Sequence, residues 1–139
     1  MEKLSLTPDL IVGVELIDDQ HRELIDRINK FIDAISVSDS NVLASELENI
    51  FDFMLDYAQS HFSDEENLMD QHKCPILDIQ KMQHQFFVME ARKLKFDLKT
   101  KGLTSELIQK SQKILVEWIK SHISGMDKKI KDCVHKSNS

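Results

Sequence analysis

The sequence predicts an all-α fold, an up-down-up-down four-helix bundle with an extended N-terminal arm. The first observation is composition: the 139 residues are 41% hydrophobic and 30% charged, with only three glycines and two prolines, a balance typical of a helical domain. The second is that apolar residues recur at the helical period in four segments. The third is that the connections between these segments are short, which favours antiparallel neighbours. Residues 1–139 are therefore expected to form one domain.

The N-terminal arm and the first helix meet near Asp18. The segment before Asp18 carries Pro8 and Gly13 and is predicted to be extended and packed over the bundle. The first helix is predicted from about Asp18 to Ser36. Its buried stripe is expected to contain His21, Leu24, Ile25, Ile28, Phe31, Ile32 and Ile35.

The second helix is predicted after a break at residues 38–41 (SDSN), which offers turn and N-cap side chains. The buried stripe that follows is expected to contain Leu43, Leu47, Ile50, Phe51, Met54, Ala58, His61, Glu65 and Leu68. Two residues with ionisable side chains, His61 and Glu65, therefore lie inside an otherwise apolar stripe.

The third and fourth helices are delimited by Pro75, Gly102 and Thr104. Pro75 is predicted to lie in the first turn of the third helix, and Gly102 is predicted to cap its end. The fourth helix is predicted from about Thr104 to Val134. The two buried stripes are expected to contain Leu77, Gln80, His84, Phe87, Val88, Ala91, Leu94 and Leu98, and then Leu107, Ile108, Leu115, Trp118, Ile119, His122, Met126 and Ile130.

Net charge and hydropathy exclude two classes of partner. The formal charge is −6, and the only basic cluster is the short group at Lys128, Lys129 and Lys131, so a nucleic-acid surface is not expected. No stretch reaches the roughly 18 apolar residues of a membrane span, and residues 1–20 do not resemble a signal peptide. The sequence therefore predicts a cytoplasmic protein that binds neither nucleic acid nor membrane. It does not identify a protein partner.

The two cysteines, Cys74 and Cys133, are few and far apart in the sequence. They do not suggest a disulfide framework, and two free thiols are expected in a reducing compartment.

Four histidines and two carboxylates are distributed over the four predicted helices. His61 and Glu65 are four residues apart, so they project from one helix face and can reach one centre. Imidazole suits transition metals, and a carboxylate can bridge two cations. The set predicts a dinuclear transition-metal site inside the bundle, with the ligands His21, His61, Glu65, His84, His122 and Asp127.

The spacing between His122 and Asp127 is unusual for two ligands on one helix. Five residues separate their positions by about 140° on a regular α-helix. A π-bulge would bring the two positions together, and Gly125 between them would make that distortion less costly. An irregular helix is therefore predicted there.

Each histidine taken alone could be an ordinary hydrogen-bonded core residue. Together they would bury several ionisable groups that only pairing or metal ligation could offset. A metal-free helical interaction module is the alternative that remains open. His72 and His135 fit no ligand spacing and are expected at the surface or at helix ends.

The ligand pattern resembles that of the hemerythrin family, H…HxxxE…HxxxH…HxxxxD on a four-helix bundle. Further similarity to the bacterial branch of the family covers nearly the whole chain. It includes residues 12–14 (VGV), 17–21 (IDDQH), 65–66 (EE) with Met69, and 118–123 (WIKSHI).

The resemblance implies two iron ions joined by an oxo or hydroxo group. His21 and His61 would ligate one iron, and His84 and His122 the other, while Glu65 and Asp127 would bridge them. Family members bind O₂ end-on, as a hydroperoxide, at the iron that has two histidines. The chain is thus expected to be an oxygen carrier, store or sensor rather than an enzyme.

Gln80 departs from the family pattern, because it stands where the first histidine of HxxxH is expected. Its amide could ligate iron weakly, hold a water, or only donate a hydrogen bond. An open position on the second iron leads to an alternative function, a di-iron enzyme acting on O₂, peroxide or nitric oxide. A ferritin-like oxidase and a zinc hydrolase are disfavoured, because neither Glu-x-x-His nor His-Glu-x-x-His occurs.

Overall fold

The computed structural model describes residue 4, residues 11–37 and residues 39–137, without the side chains of residues 37, 126–128 and 135–137. Within this part of the chain there are four helices and no strand, so the all-α prediction is confirmed. Helix α1 spans Glu15–Val37, α2 spans Ser40–Gln71 and α3 spans Leu77–Lys101. The fourth helix, α4, covers residues 105–137. Consecutive helices pack against each other.

Helix α4 is continuous but changes its hydrogen-bonding pattern twice. The α-helical segments Ser105–Gln112, Ile119–His122 and Lys128–Ser137 alternate with π-helical segments at Lys113–Trp118 and Ile123–Asp127. The second π segment confirms the irregularity predicted between His122 and Asp127. The first was not predicted.

The N-terminus of α1 is held by Asp18. Its carboxylate accepts hydrogen bonds from the backbone N–H groups of Val12 (2.8 Å) and Gly13 (3.1 Å), while its own N–H donates to the carbonyl of Val14 (2.9 Å). These bonds fix the described end of the arm on the bundle, where Val12 is fully buried. Pro8 lies outside the described residues.

The other helix ends follow the caps that the sequence suggests. Asp39 accepts from the N–H of Val42 (2.9 Å) and Thr104 from the N–H of Leu107 (3.0 Å), so both act as N-caps. Gly102 has a positive φ of 76° and its N–H donates to the carbonyl of Leu98, which confirms the predicted cap. Helix α3 begins at Leu77, so Pro75 lies in the turn just before the helix rather than in its first turn.

Two apolar clusters fill the bundle. The larger draws on all four helices and includes Phe31, Phe51, Phe87 and Leu115. The smaller packs the arm against the opposite end of the bundle. It contains Val12, Ile17, Met69, Cys74, Ile130 and Val134. On each helix the candidate ligands come between residues of these two clusters, so the clusters enclose a buried polar layer.

The cysteine prediction is wrong. Cys74 and Cys133 form a disulfide, with their Cα atoms 5.7 Å apart. The segment after α2 carries Cys74 into the smaller cluster, against the end of α4 that carries Cys133. A separation of 59 residues along the chain gives no sign of this proximity.

None of the helices in the described ranges is long and apolar enough to cross a membrane.

Candidate metal centre

The predicted ligands meet in the polar layer between the two apolar clusters. All of those whose side chains are described are buried, and the most accessible, His122, is only 5% exposed. The layer contains His21 from α1, His61 and Glu65 from α2, Gln80 and His84 from α3, and His122 from α4.

The histidines form two pairs on either side of one carboxylate. The Nε2 atoms of His21 and His61 are 3.2 Å apart, and those of His84 and His122 are 3.1 Å apart. Glu65 Oε1 contacts His61 Nε2 closely and lies 3.9 Å from His21 Nε2. Glu65 belongs to two trios whose ligand atoms all lie within 4.8 Å of one another, one trio with each histidine pair. This carboxylate can therefore reach two metal positions.

His61 is oriented by a chain of two hydrogen bonds from its outer nitrogen. His61 Nδ1 donates to Gln20 Oε1 at 2.6 Å. Gln20 Nε2 in turn donates to Asp64 Oδ2 at 2.9 Å. Because the Gln20 amide nitrogen is engaged with a carboxylate, its oxygen must face the imidazole, which places the proton on His61 Nδ1.

The second histidine pair is oriented in the same way from α2 and α3. His84 Nδ1 donates to Glu66 Oε2 at 2.8 Å, and His122 Nδ1 donates to Gln83 Oε1 at 2.7 Å. An outer hydrogen bond of this kind fixes the tautomer and the ring orientation of a metal-ligating histidine. It leaves the Nε2 lone pair directed at the centre of the layer.

This donor set fits a metal and is unfavourable without one. In the second pair, His84 and His122 both carry the proton on Nδ1, so their Nε2 lone pairs face each other at 3.1 Å. In the first pair, the Nε2 atoms are 3.2 Å apart and that of His61 also faces a Glu65 oxygen. Such donors repel in a buried site unless a cation lies between them. Imidazole nitrogen with carboxylate oxygen is a combination that suits iron.

Aromatic rings pack against three of the imidazoles. Phe62 stacks on His84 with centroids 3.8 Å apart and planes 2° apart. Trp118 stacks on His122 at 4.6 Å and 8°, and Tyr57 on His61 at 5.1 Å and 25°. These contacts restrict rotation of the ligand rings, so the site is held in place by packing as well as by hydrogen bonds.

A small apolar cavity adjoins one side of the site. Its volume is about 20 Å³, and its walls include Leu24, Met54 and Ile119 beside the rings of His21 and His61. A single water requires roughly 10–15 Å³ measured in this way, so the cavity has space for one small molecule.

A family model described as the hemerythrin HHE cation binding domain matches residues 12–134. The chain belongs to the hemerythrin family. This is a family of non-heme iron proteins that bind oxygen, and the protein is accordingly a non-heme iron, oxygen-binding protein. The match includes every element that carries a candidate ligand.

Hemerythrin relatives align along most of the chain. It is 28% identical over 135 residues to a bacteriohemerythrin of Stenotrophomonas maltophilia, covering 96% of this chain and 83% of the relative. It is 29% identical to a myohemerythrin of Theromyzon tessulatum over 86% of this chain and 84% of that one. The crystal structure of a hemerythrin mutant superposes with a TM-score of 0.75 at 21% identity, covering 96% of this chain and 98% of the other, which supports the same helical bundle fold.

Gln80, where the ligand pattern predicts a histidine, directs its amide nitrogen toward Glu65. Gln80 Nε2 donates to Glu65 Oε2 at 3.0 Å. This geometry shows the hydrogen-bonding role for the amide nitrogen, and only the amide oxygen could ligate a metal. The side chain is fully buried beside the second histidine pair.

Three other sequence expectations concern Asp127, His72 and His135. The side chain of Asp127 lies outside the described residues, so its part in the site stays a prediction; its backbone ends the second π segment. His72 caps the C-terminus of α2, away from the centre, as expected for a helix-end residue. The side chain of His135 also lies outside the description.

Sequence reasoning assigned no role to the outer partners Gln20, Glu66 and Gln83. Each is adjacent in sequence to a candidate ligand, as Gln20 is to His21, Glu66 to Glu65 and Gln83 to His84. A polar residue beside a buried ligand was an available signal. It does not indicate which histidine is contacted, because each of the three bonds joins two different helices.

Proposed function

We propose that this protein binds O₂ reversibly at a pair of non-heme iron ions and serves as an oxygen carrier, store or sensor. The observation that carries the proposal is that Glu65 belongs to both trios of ligand atoms, one with each histidine pair. A shared carboxylate between two imidazole pairs is suited to two adjacent cations rather than one.

The ligand assignment follows the two pairs. His21 and His61 would hold one iron, and His84 and His122 the other. Glu65 would bridge them, together with Asp127 and an oxo or hydroxo group as the family pattern implies. Two ferrous ions would supply the electrons by which bound O₂ is reduced.

The protein's own contribution is orientation and exclusion of water. The outer hydrogen bonds keep the Nε2 lone pairs of His61, His84 and His122 directed inward. The 20 Å³ cavity is lined by His21, His61 and His122 and offers a dry space beside the proposed irons, which supports end-on binding of O₂ there. Its apolar walls offer water no hydrogen-bond partner, so they disfavour the entry of water beside bound O₂.

The test is iron loading under argon followed by exposure to O₂. We expect two irons per chain and an optical band that appears with O₂ and disappears when O₂ is removed. Glu65→Ala should lose most of the iron, measured by elemental analysis. His72→Gln, which changes a histidine outside the site, is the matched control. Retention of both irons by Glu65→Ala, or the absence of an O₂-dependent band in the natural protein, would contradict the proposal.

A second candidate function, a di-iron enzyme acting on O₂, peroxide or nitric oxide, is favoured by one observation. A surface groove of about 610 Å³ between α2 and α3 reaches His84 and Glu66, and Ser63 and Arg92 also line it. It offers the second metal position a route from solvent that the small cavity does not provide for the first.

The two functions respond differently when the groove is filled. If the protein turns over peroxide, Ser63→Trp should slow peroxide consumption while leaving the O₂ band unchanged. Ser60→Trp places the same ring on an exposed position of α2 outside the groove and is the control. No peroxide turnover by the iron-loaded protein would remove peroxide as the substrate of an enzyme function.

The cytoplasmic location also remains a proposal, and the disulfide weighs against it. Disulfides are rare in reducing compartments. Alkylation of free thiols in intact cells before lysis, followed by mass analysis, would decide between a reducing and an oxidising compartment. Blocked thiols at Cys74 and Cys133 would support a cytoplasmic location, and an intact disulfide would indicate an oxidising one.

A further inference from the structure

Helix α3 carries a row of exposed apolar side chains on the face opposite the core. Of the seven large hydrophobic residues that are exposed in the described part of the chain, five lie on this helix. Exposed apolar residues are usually scattered singly, whereas a row of them along one helix face indicates an interaction surface. The five are Ile79, Met82, Phe86, Met89 and Phe96.

The spacing of these residues is that of a helix-helix seam. Adjacent members are three or four residues apart, and the one gap in the series is filled by Lys93. Apolar residues that alternate at three and four along a helix form the stripe that packs against a second helix in a coiled coil. The core-facing residues of α3 form a separate stripe, so this seam is left exposed by residues 11–37 and 39–137.

Charges at the two ends of α3 are complementary. Asp78 lies in its first turn and Lys99 in its last, and both are exposed at the edge of the seam. When two copies of α3 pack antiparallel, Asp78 of each copy meets Lys99 of the other. The helix dipoles also oppose each other favourably.

From the seam and these charges, we propose that the protein forms a two-fold symmetric homodimer in which α3 packs antiparallel against α3 of a second copy. In this alignment Phe86 packs on Met89 of the other copy, and Lys93 lies over Met82. A parallel pairing is disfavoured, because it sets Lys93 against Lys93.

The size of the seam determines how strongly the two copies are expected to associate. Its length is about 26 Å at 1.5 Å per residue, and a helix is about 10–12 Å wide with its side chains, giving about 300 Å² per copy. A standard stable interface buries about 800 Å² per partner. The dimer is therefore weak, with a dissociation constant in the micromolar range or above, and the inference is independent of iron and O₂.

Sedimentation velocity of the full chain from about 10 µM to about 1 mM tests the dimer. The natural protein should shift from monomer to dimer over this range. Phe86→Glu, at the centre of the seam, should raise the dissociation constant at least tenfold. Leu16→Glu introduces the same charge at another exposed apolar residue, on α1, and should leave it unchanged. Circular dichroism melts establish that both variants fold.

A charge exchange tests the antiparallel orientation. At low salt, Asp78→Lys and Lys99→Asp should each weaken the dimer several-fold, and the double variant should recover it. A monomer at all concentrations, equal effects of Phe86→Glu and Leu16→Glu, or no recovery in the double variant would overturn the proposal. The apo and iron-loaded proteins should dimerise equally. A failure to dimerise is therefore distinguishable from a failure to bind O₂.

Discussion

Gln80 is the candidate site residue that departs from the predicted ligand pattern. Its amide donates to Glu65, so it holds the carboxylate proposed to bridge the two irons. We expect Gln80→His to bind iron more tightly and to form a longer-lived oxy species, because imidazole is a stronger donor and closes an exchangeable position. Iron titration and stopped-flow autoxidation measure the two effects.

Gln80→Leu is the informative control for that substitution, because it keeps a similar volume and removes the hydrogen bond. It should loosen iron binding without adding a ligand. If Gln80→His and Gln80→Leu both behave like the natural protein, Gln80 has no role in the site.

Glu66 is the outer hydrogen-bond partner of His84, a proposed iron ligand. As an anionic acceptor at 2.8 Å from His84 Nδ1, it raises the donor strength of that imidazole more than a neutral amide would. Glu66→Ala should lower iron affinity about 10–100-fold, the usual effect of removing such a partner. Asp70→Ala, one turn further along α2 and exposed, should leave the affinity unchanged, and an equal loss in both variants would contradict the role.

At the scale of single residues, the ligand candidates could be predicted because each interrupts an apolar stripe with an ionisable group. The four histidines and Glu65 do converge in one buried layer. The hydrogen-bond partners of the histidines could not be assigned from the sequence. Gln20, for example, lies on α1 but contacts His61 on α2. The direction of a side chain across a helix interface depends on how the helices pack, and the periodicity of one helix does not contain that information.

At the scale of elements, α4 is the helix whose geometry the sequence describes least completely. Its start near Thr104 and the preceding cap at Gly102 were predicted from the sequence. The second π segment was predicted from ligand spacing around Gly125, whereas the first, at Lys113–Trp118, contains no glycine, proline or candidate ligand to mark it. A π segment therefore does not require glycine in this helix.

The substitution Gly125→Ala tests how far the second π segment depends on glycine. A Cβ at this position would meet no atom within 4 Å. We expect Gly125→Ala to retain iron and to gain up to about 1 kcal/mol in the free energy of unfolding, because alanine lowers the entropic cost of helix formation. Urea unfolding and elemental analysis provide the measurements. Loss of iron would instead show that glycine is needed to shape the site.

At the scale of the whole molecule, the Cys74–Cys133 disulfide joins the segment after α2 to the last segment of α4. It closes a loop of 59 residues, for which the chain-entropy relation gives about 4 kcal/mol of stabilisation, with measured values commonly about 2–4 kcal/mol. We expect the double variant Cys74→Ala with Cys133→Ala to lose stability in this range. Urea unfolding of the natural protein with and without reductant is the parallel measurement. A difference below about 1 kcal/mol would contradict the expectation.

The bundle as a whole was predictable because four stripes and short connections permit few other packings. The disulfide and the two-cluster core were not, since both depend on which ends of the helices lie side by side. Cys74 and Cys133 come together at the arm end of the bundle, in the smaller cluster. The spacing of residues within one segment gives no information about that contact between two segments.

The second π segment also changes how the spacing of two residues in the sequence relates to their directions around the helix axis. A π turn closes with one more residue than an α turn, so five positions in it advance about as far around the helix axis as four positions elsewhere. The interval from His122 to Asp127 is thus equivalent in backbone direction to the interval from His61 to Glu65. In geometric terms, residues 123–127 hold one residue more than an α-helical turn would, without a shift in the direction of the residues that follow. A chain one residue shorter here would present the same two backbone positions from an ordinary α-helix.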